Sequence, residues 1–215
     1  MSKRHVLFVN GDLEHLPALR EEIKESDYII GVDGGTRHVL ALGLLPHVVI
    51  GDLDSIGDDA LALIRGKNVP TIEHPARKDH SDLELALIHS VKSRADEIVV
   101  VSALGGRFDH TLANTLLLGS PLFGGTPAQL YDGRTRAKLL RPGELFRIAG
   151  TAGQTFSLLP LSADVEVEFL RGAEWNLQSD VLHLGSSRGL SNLFNEPWIE
   201  IQIRSGSLLF VTTIF

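Results

Sequence analysis

Up to Gly119 the chain alternates short apolar runs with helical stretches, and that order restricts the fold more than any other feature. HVLFVN is followed by PALREEIKES, DYIIGVD by TRHVLALGL, and HVVIGDLDS by a helix around ALALIRG. Apolar runs joined by helical crossovers predict a parallel sheet with helices on both faces. Further on, HSDLELALIHSVKS carries Leu83, Ala86, Leu87, Ile88 and Val91 at helical spacing, and Ser81 with Glu84 matches a capping box. EIVVVSAL then reads as a buried strand, followed by GGRFDH and the helical TLANTLLLG.

Beyond AQLYDG the pattern changes to ELFRIAG, QTFSLLPL, DVEVEFL, VLHLG, WIEIQI and SLLFVTTIF, short runs separated by turn residues. In WIEIQIR, Ile199, Ile201 and Ile203 alternate with Glu200, Gln202 and Arg204, as a half-buried strand requires. This half is expected to be mostly antiparallel sheet. The segment DGRTRAKLLRPG interrupts the apolar pattern, and the boundary is drawn within it, giving domains 1–138 and 139–215.

Composition narrows the partners. With 215 residues and 43% hydrophobic content the chain can bury a substantial core. A formal charge of -7 gives no electrostatic reason to bind nucleic acid or an anionic membrane. There is no cysteine, which excludes disulfides and thiolate chemistry. No apolar run approaches a membrane span and the start lacks a signal-peptide pattern, so cytoplasmic residence is expected.

In an open parallel sheet, ligands bind beyond the carboxyl ends of the strands. Asp33 follows YIIGV there, and Asp52 and Asp54 follow HVVIG. The glycines of VDGG, Gly34 and Gly35, allow a tight turn and close approach to a ligand. Two aspartates one residue apart share a side if the backbone is extended, an arrangement costly without a cation. Magnesium suits hard carboxylate oxygens and bridges them to phosphates, so a magnesium-nucleotide site follows. Asp79 and Asp82 flank a helix start, where a dipole role accounts for either alone. In GGRFDH, Gly105, Gly106 and the helix start can receive phosphates, with Arg107 pairing to them, while Asp109 is either a second contributor or an N-cap. Neither a Walker A sequence nor GxGxxG is present, and no histidine is assigned as a ligand. Trp175 reads as a core residue, although it could offer an aromatic face to a ring.

Taken in order, GVDGG, LPHVVIGDLDSI, KDHSDLELAL, LGGRFDH with Asn114, SLLPL, EWNL and GLSN resemble thiamine pyrophosphokinases across nearly the whole chain. The resemblance implies an N-terminal α/β catalytic domain, a C-terminal all-β sandwich domain that helps bind thiamine, and a homodimer with active sites between subunits. It implies Asp33, Asp52, Asp54 and Asp82 as the magnesium-binding centre, Arg107 and Asp109 near the ATP phosphates, and Ser191 and Asn192 near thiamine. Asp54, Asp82 and Arg107 are the expected catalytic residues. Lys78 adds a cation to this acidic segment, which either meets a phosphate or disfavours the cationic thiazolium. The rival readings are a pyrophosphokinase of another heterocyclic alcohol such as a hydroxymethylpterin, a non-catalytic magnesium-nucleotide sensor, and a hydrolase of nucleotide pyrophosphates.

Overall fold

The apolar runs of the first half become six strands: β1 (Arg4–Phe8), β2 (Tyr28–Val32), β3 (Val48–Gly51), β4 (Thr71–Glu73), β5 (Glu97–Val101) and β6 (Ala128–Tyr131). The computed structural model describes residues 3–12, 15–123 and 125–213, and the chain forms two compact units, Met1–Gly133 and Arg134–Phe215. The last two residues of SLLFVTTIF lie outside the described residues.

In the first unit the strands run in the order β6-β5-β1-β2-β3-β4, all parallel. From β1 the sheet grows outward through β2, β3 and β4, then resumes on the other side of β1 with β5 and β6. The reversal between β1 and β5 opens a crevice at the carboxyl ends of the strands.

Five helices connect them: α1 (Leu16–Glu22), α2 (Thr36–Ala41), α3 (Asp58–Gly66), α4 (Asp82–Lys92) and α5 (Phe108–Leu117). Leu19 of α1 and Val39 of α2 pack with Val6, Phe8, Val99 and Val101, while α4 lies along β1, β2 and β3. The stripe on α4 buries Leu83, Ala86 and Leu87, with Ile88 and Val91 partly covered. Ser90 completes it, because its hydroxyl donates back to the Ala86 carbonyl at 2.9 Å and so needs no outside partner. Ser81 caps this helix by accepting from the Glu84 N–H at 3.2 Å; the Glu84 carboxylate pairs with His80.

The second unit is antiparallel throughout. One sheet orders β12 (Asn192–Leu193), β9 (Thr155–Pro160), β14 (Leu208–Thr213) and β7 (Thr135–Leu140); the other orders β11 (Leu177–His183), β10 (Asp164–Arg171), β13 (Trp198–Ser205) and β8 (Leu145–Ala149). A shared core that includes Leu140, Phe156, Val167, Leu170, Ile201 and Phe210 makes this a sandwich. Ile199, Ile201 and Ile203 are all buried, as their alternation requires. The unit begins at Arg134, so β7 belongs to it whole, and residue 138 lies inside that strand. Among the described residues no helix is long and apolar enough to cross a membrane.

At the start of β1, Arg4 is buried against Asp27 through two charge-assisted bonds, Nε to Oδ1 at 2.9 Å and Nη2 to Oδ2 at 2.6 Å, and it also binds Glu22. Burial alone would raise the Asp27 carboxyl, but the bonds from Arg4 and the Lys24 N–H outweigh it and hold it below its ordinary value. Next to Arg4, burial drives the His5 imidazole down to about 4, with the Lys3 charge adding to the effect, and neither ring nitrogen has a hydrogen-bond partner. His5 therefore folds as the neutral ring. The stability it contributes is complete above the ordinary histidine value of 6.5 and is lost as pH falls toward 4.

Arg4→Met leaves Asp27 buried without its partner and is expected to cost about 3 kcal/mol in urea denaturation at neutral pH. Lowering the pH from 6.5 to 4 is expected to reduce the wild-type unfolding free energy, with up to about 3 kcal/mol carried by His5 and removed from the pH profile in His5→Leu.

Candidate active site

The carboxyl ends of β1 to β5 surround a cleft of roughly 540 Å³ in the first unit. Its acidic wall comes from three elements. Asp33 opens a 3-10 turn, Asp33–Gly35, directly after β2, with φ at 45°. A non-glycine residue in this left-handed region is held there by its surroundings at some cost in energy. Gly51, at the end of β3, is one of those surroundings: a Cβ there would lie 2.8 Å from the Asp33 Cβ. Gly34 and Gly35 are buried under the turn, against the Asn10 side chain and the Phe8 carbonyl respectively. Their small size lets the turn sit down on β1.

Asp52 follows β3, but the backbone after it is not extended. Leu53 has φ of 66° and tucks its side chain among Val49, Ile56 and Ile64. The chain therefore turns between the two aspartates of GDLDS, which corrects the expectation that an extended backbone sets both carboxylates on one side. Asp54 is exposed on the cleft wall, where its carboxylate accepts from the Ser55 hydroxyl at 2.8 Å. The third member of the acidic group comes instead from Asp82, the first residue of α4.

Asp33, Asp52 and Asp82 each offer an oxygen, and these atoms lie within 4.8 Å of one another. Asp33 Oδ1 is buried with no hydrogen-bond partner. Burial raises the Asp33 carboxyl above its ordinary value, and the Asp52 charge pushes the same way, against hydrogen bonds from Gly34 and Ser55. A buried acceptor without a donor, among like charges, fits a hard divalent cation. Lys78 stands beside the group, its ammonium 2.7 Å from Asp82 Oδ1 and 3.7 Å from Asp52 Oδ2. Asp79 is exposed and does not line the cleft.

Across the cleft lies the loop after β5. Gly105 and Gly106 have φ of 83° and 65°, and the Gly106 N–H donates to Asp12 Oδ2 at 2.8 Å. Asp12, at the end of NGD, fixes the loop from inside and takes an amide that the sequence pattern offers to phosphate. Asn10 and Asp12 are absent from the residues that sequence reasoning singles out; their signal is the polar NGD directly after a buried strand. Asn114 of α5 holds the loop from the other side, donating to the Ala103 carbonyl at 3.0 Å.

Arg107 is exposed on the cleft rim and is bonded through Nε and Nη2 to Asp109. The Arg107 hydrogen bond holds the Asp109 carboxyl down at about 2, so it stays a carboxylate. Asp109 is not the N-cap of α5, a position occupied by Arg107; it accepts from the His110 N–H within the first turn and orients the guanidinium.

In the second unit Asn192 is buried and fully engaged. It accepts from the Trp175 N–H at 3.1 Å and donates to the Trp175 carbonyl at 2.8 Å. Ser191 is exposed with φ of 57°, and its N–H donates to the Ser157 hydroxyl. Trp175 is 58% exposed, which corrects its reading as a core residue. Its indole is carried outward on a turn that Asn192 clamps.

Two family models match in the order of the two units: "Thiamin pyrophosphokinase, catalytic domain" over residues 19–129 and "Thiamin pyrophosphokinase, vitamin B1 binding domain" over 146–208. The chain belongs to the thiamin pyrophosphokinase family. A thiamine pyrophosphokinase of Bacillus subtilis (strain 168) is 30% identical over 187 residues, covering 86% of this chain and 87% of that protein. A crystal structure of thiamine pyrophosphokinase from Bacillus subtilis superposes with a TM-score of 0.88 at 27% identity, covering 98% and 99% of the two chains. Thiamin pyrophosphokinase from Geobacillus thermodenitrificans gives 0.84 at 29% identity, covering 100% and 98%.

Asp33→Asn keeps the shape of the side chain and tolerates its left-handed backbone, while removing one charge from the acidic group. It is expected to raise metal-free stability by about 1 kcal/mol and to abolish any rise in melting temperature on adding magnesium. Thermal unfolding of both proteins with and without Mg²⁺ checks this.

Proposed function

We propose that the cleft of the first unit is where the protein transfers a pyrophosphoryl group from ATP to the hydroxyl of thiamine, giving thiamine pyrophosphate and AMP. The observation that carries this reading is the convergence of Asp33, Asp52 and Asp82 opposite the Gly105–Arg107 loop, at the carboxyl ends of a parallel sheet. That is where an α/β sheet receives a phosphorylated ligand.

Asp33, Asp52 and Asp82 would hold Mg²⁺, with Asp54 on the adjoining wall. When bound, the cation supplies positive charge to the polyphosphate oxygens of ATP. Arg107 meets the same charge from the opposite rim; its present bond to Asp109 is exposed, so a phosphate can share or replace it at little cost. The thiamine hydroxyl attacks the β-phosphorus and AMP departs. Asp54, exposed and hydrogen-bonded only to Ser55 among its described contacts other than its own backbone, can take the hydroxyl proton. A loose phosphoryl transition state asks little of such a base, so positioning and charge supply most of the rate.

Thiamine recognition is assigned to the second unit, around Ser191, Asn192 and Trp175. The support is physical: an exposed indole, backbone-clamped by a buried amide, gives a rigid aromatic face for a heterocycle. A homodimer belongs to the same reading. No residue of α5 is buried, yet Phe108, Leu112 and Leu116 form an apolar stripe on it, exposed by 78%, 47% and 52%. A second copy covering this stripe would remove an otherwise costly surface. Cytoplasmic residence also belongs to it, since the co-substrate is ATP.

Incubation with ATP, Mg²⁺ and thiamine is expected to yield AMP and thiamine pyrophosphate in equal amounts, with loss of product in EDTA and a fall of at least about tenfold in Asp54→Asn. ATP binding without AMP would favour the sensor, AMP without thiamine the hydrolase, and transfer to a hydroxymethylpterin in preference to thiamine the alternative acceptor. Leu112→Glu is expected to convert a dimer to monomer in sedimentation velocity.

A further inference from the structure

Lys78 is the one residue in the cleft whose charge opposes the acidic group at contact distance among the described residues. Its side chain is only 15% exposed, and its ammonium bridges two of the three carboxylates that would hold the cation. A metal ion and an ammonium cannot share those oxygens at close range without strong repulsion. Asp33 Oδ1 and Asp82 Oδ1 are both buried without a hydrogen-bond partner, the latter touched only by the ammonium as an ion pair, so the lysine leaves the group only part-satisfied.

We infer that Lys78 is a movable counter-ion: it holds Asp82 and Asp52 in the metal-free protein, and on loading it gives them up and turns its ammonium to a phosphate oxygen of the nucleotide. The geometry allows it. Lys78 lies just ahead of α4, its four-carbon stem is flexible, and its ammonium faces the cleft shared with Gly105 and Arg107. Phosphate entering with the metal offers the displaced ammonium a new anion, so the exchange loses no ion pair. Lys78 then acts as a substrate-positioning residue facing Arg107 across the polyphosphate, and it favours arrival of metal and nucleotide together over metal alone.

This inference rests on the metal-nucleotide reading of the cleft, and the test separates the two. Mn²⁺ binding is measured by electron paramagnetic resonance on the full chain without nucleotide, and binding of a non-hydrolysable ATP analogue is measured at saturating Mn²⁺. For Lys78→Met, nucleotide-free Mn²⁺ affinity is expected to rise about tenfold, while analogue affinity at saturating Mn²⁺ falls about tenfold. Lys78→Arg, which keeps a cation, is expected to stay within about threefold of wild type in both. Unchanged Mn²⁺ affinity in Lys78→Met overturns the counter-ion role. Raised Mn²⁺ affinity with unchanged analogue affinity overturns the handover to phosphate. A wild-type protein that binds no Mn²⁺ even when the ATP analogue is present overturns the metal-nucleotide reading itself, and the inference with it. If Lys78→Met fails to fold, Lys78→Gln also removes the cation, and the same two affinities are expected to shift in the same directions.

Discussion

Mutual repulsion among Asp33, Asp52 and Asp82 is the constraint around which the first unit is arranged. Oxygens of three carboxylates within 4.8 Å would separate if their backbones were free to move. They are not free, because each sits at or next to the end of an element that is packed into the core. Asp33 is pinned by Gly51 and by the turn seated on β1, Asp52 by the buried Leu53 beside it, and Asp82 by the cap and apolar stripe of α4. The sheet core thus stabilises a charge cluster that local energetics oppose. Burying several Val, Ile and Phe side chains at roughly 2 kcal/mol each gives ample reserve for that.

Part of the strained backbone sits where this load is carried. Asp33, Leu53 and Ser102 all have positive φ, and they follow β2, β3 and β5 respectively. Each redirects the chain out of the sheet within a residue or two, which brings side chains from neighbouring strands to one cleft instead of letting them diverge along separate loops. Asp12 does the equivalent for the loop after β5, since one hydrogen bond to the Gly106 amide ties it to the end of β1.

How much of this is legible in the sequence depends on how local the signal is. Period-two alternation in WIEIQIR, the buried runs of the parallel strands and the Ser81 cap are set within a few residues, and they appear as read. Asp33 and Asp52 can be picked out because strand ends are where a parallel sheet presents its ligands, whereas Asp82, at a helix start, joins them only through the family resemblance. The turn at Leu53 cannot, since it depends on a hydrophobic pocket made by Val49, Ile56 and Ile64. Trp175 misleads for a related reason: aromatic residues are usually buried, and only the clamp by Asn192, 17 residues away, shows that this one is held outward. The tie from Asp12 to Gly106 spans 94 residues and leaves only a polar tripeptide as its trace.

The two polar clamps also show why fixed positions and adjustable charges are divided as they are. Asn192 and Asp12 bind backbone amides, whose positions are set by the fold, and both commit side-chain hydrogen-bonding capacity to holding a segment still. Lys78 and Arg107 bind other side chains, and each pairs with a carboxylate that a phosphate can replace. Backbone ties give geometry that survives ligand exchange, whereas pairs of like strength between side chains exchange partners without large cost. A site that must admit a highly charged polyphosphate and then release charged products needs both: rigid walls to keep the carboxylates together, and cations already on hand that can leave one anion for another.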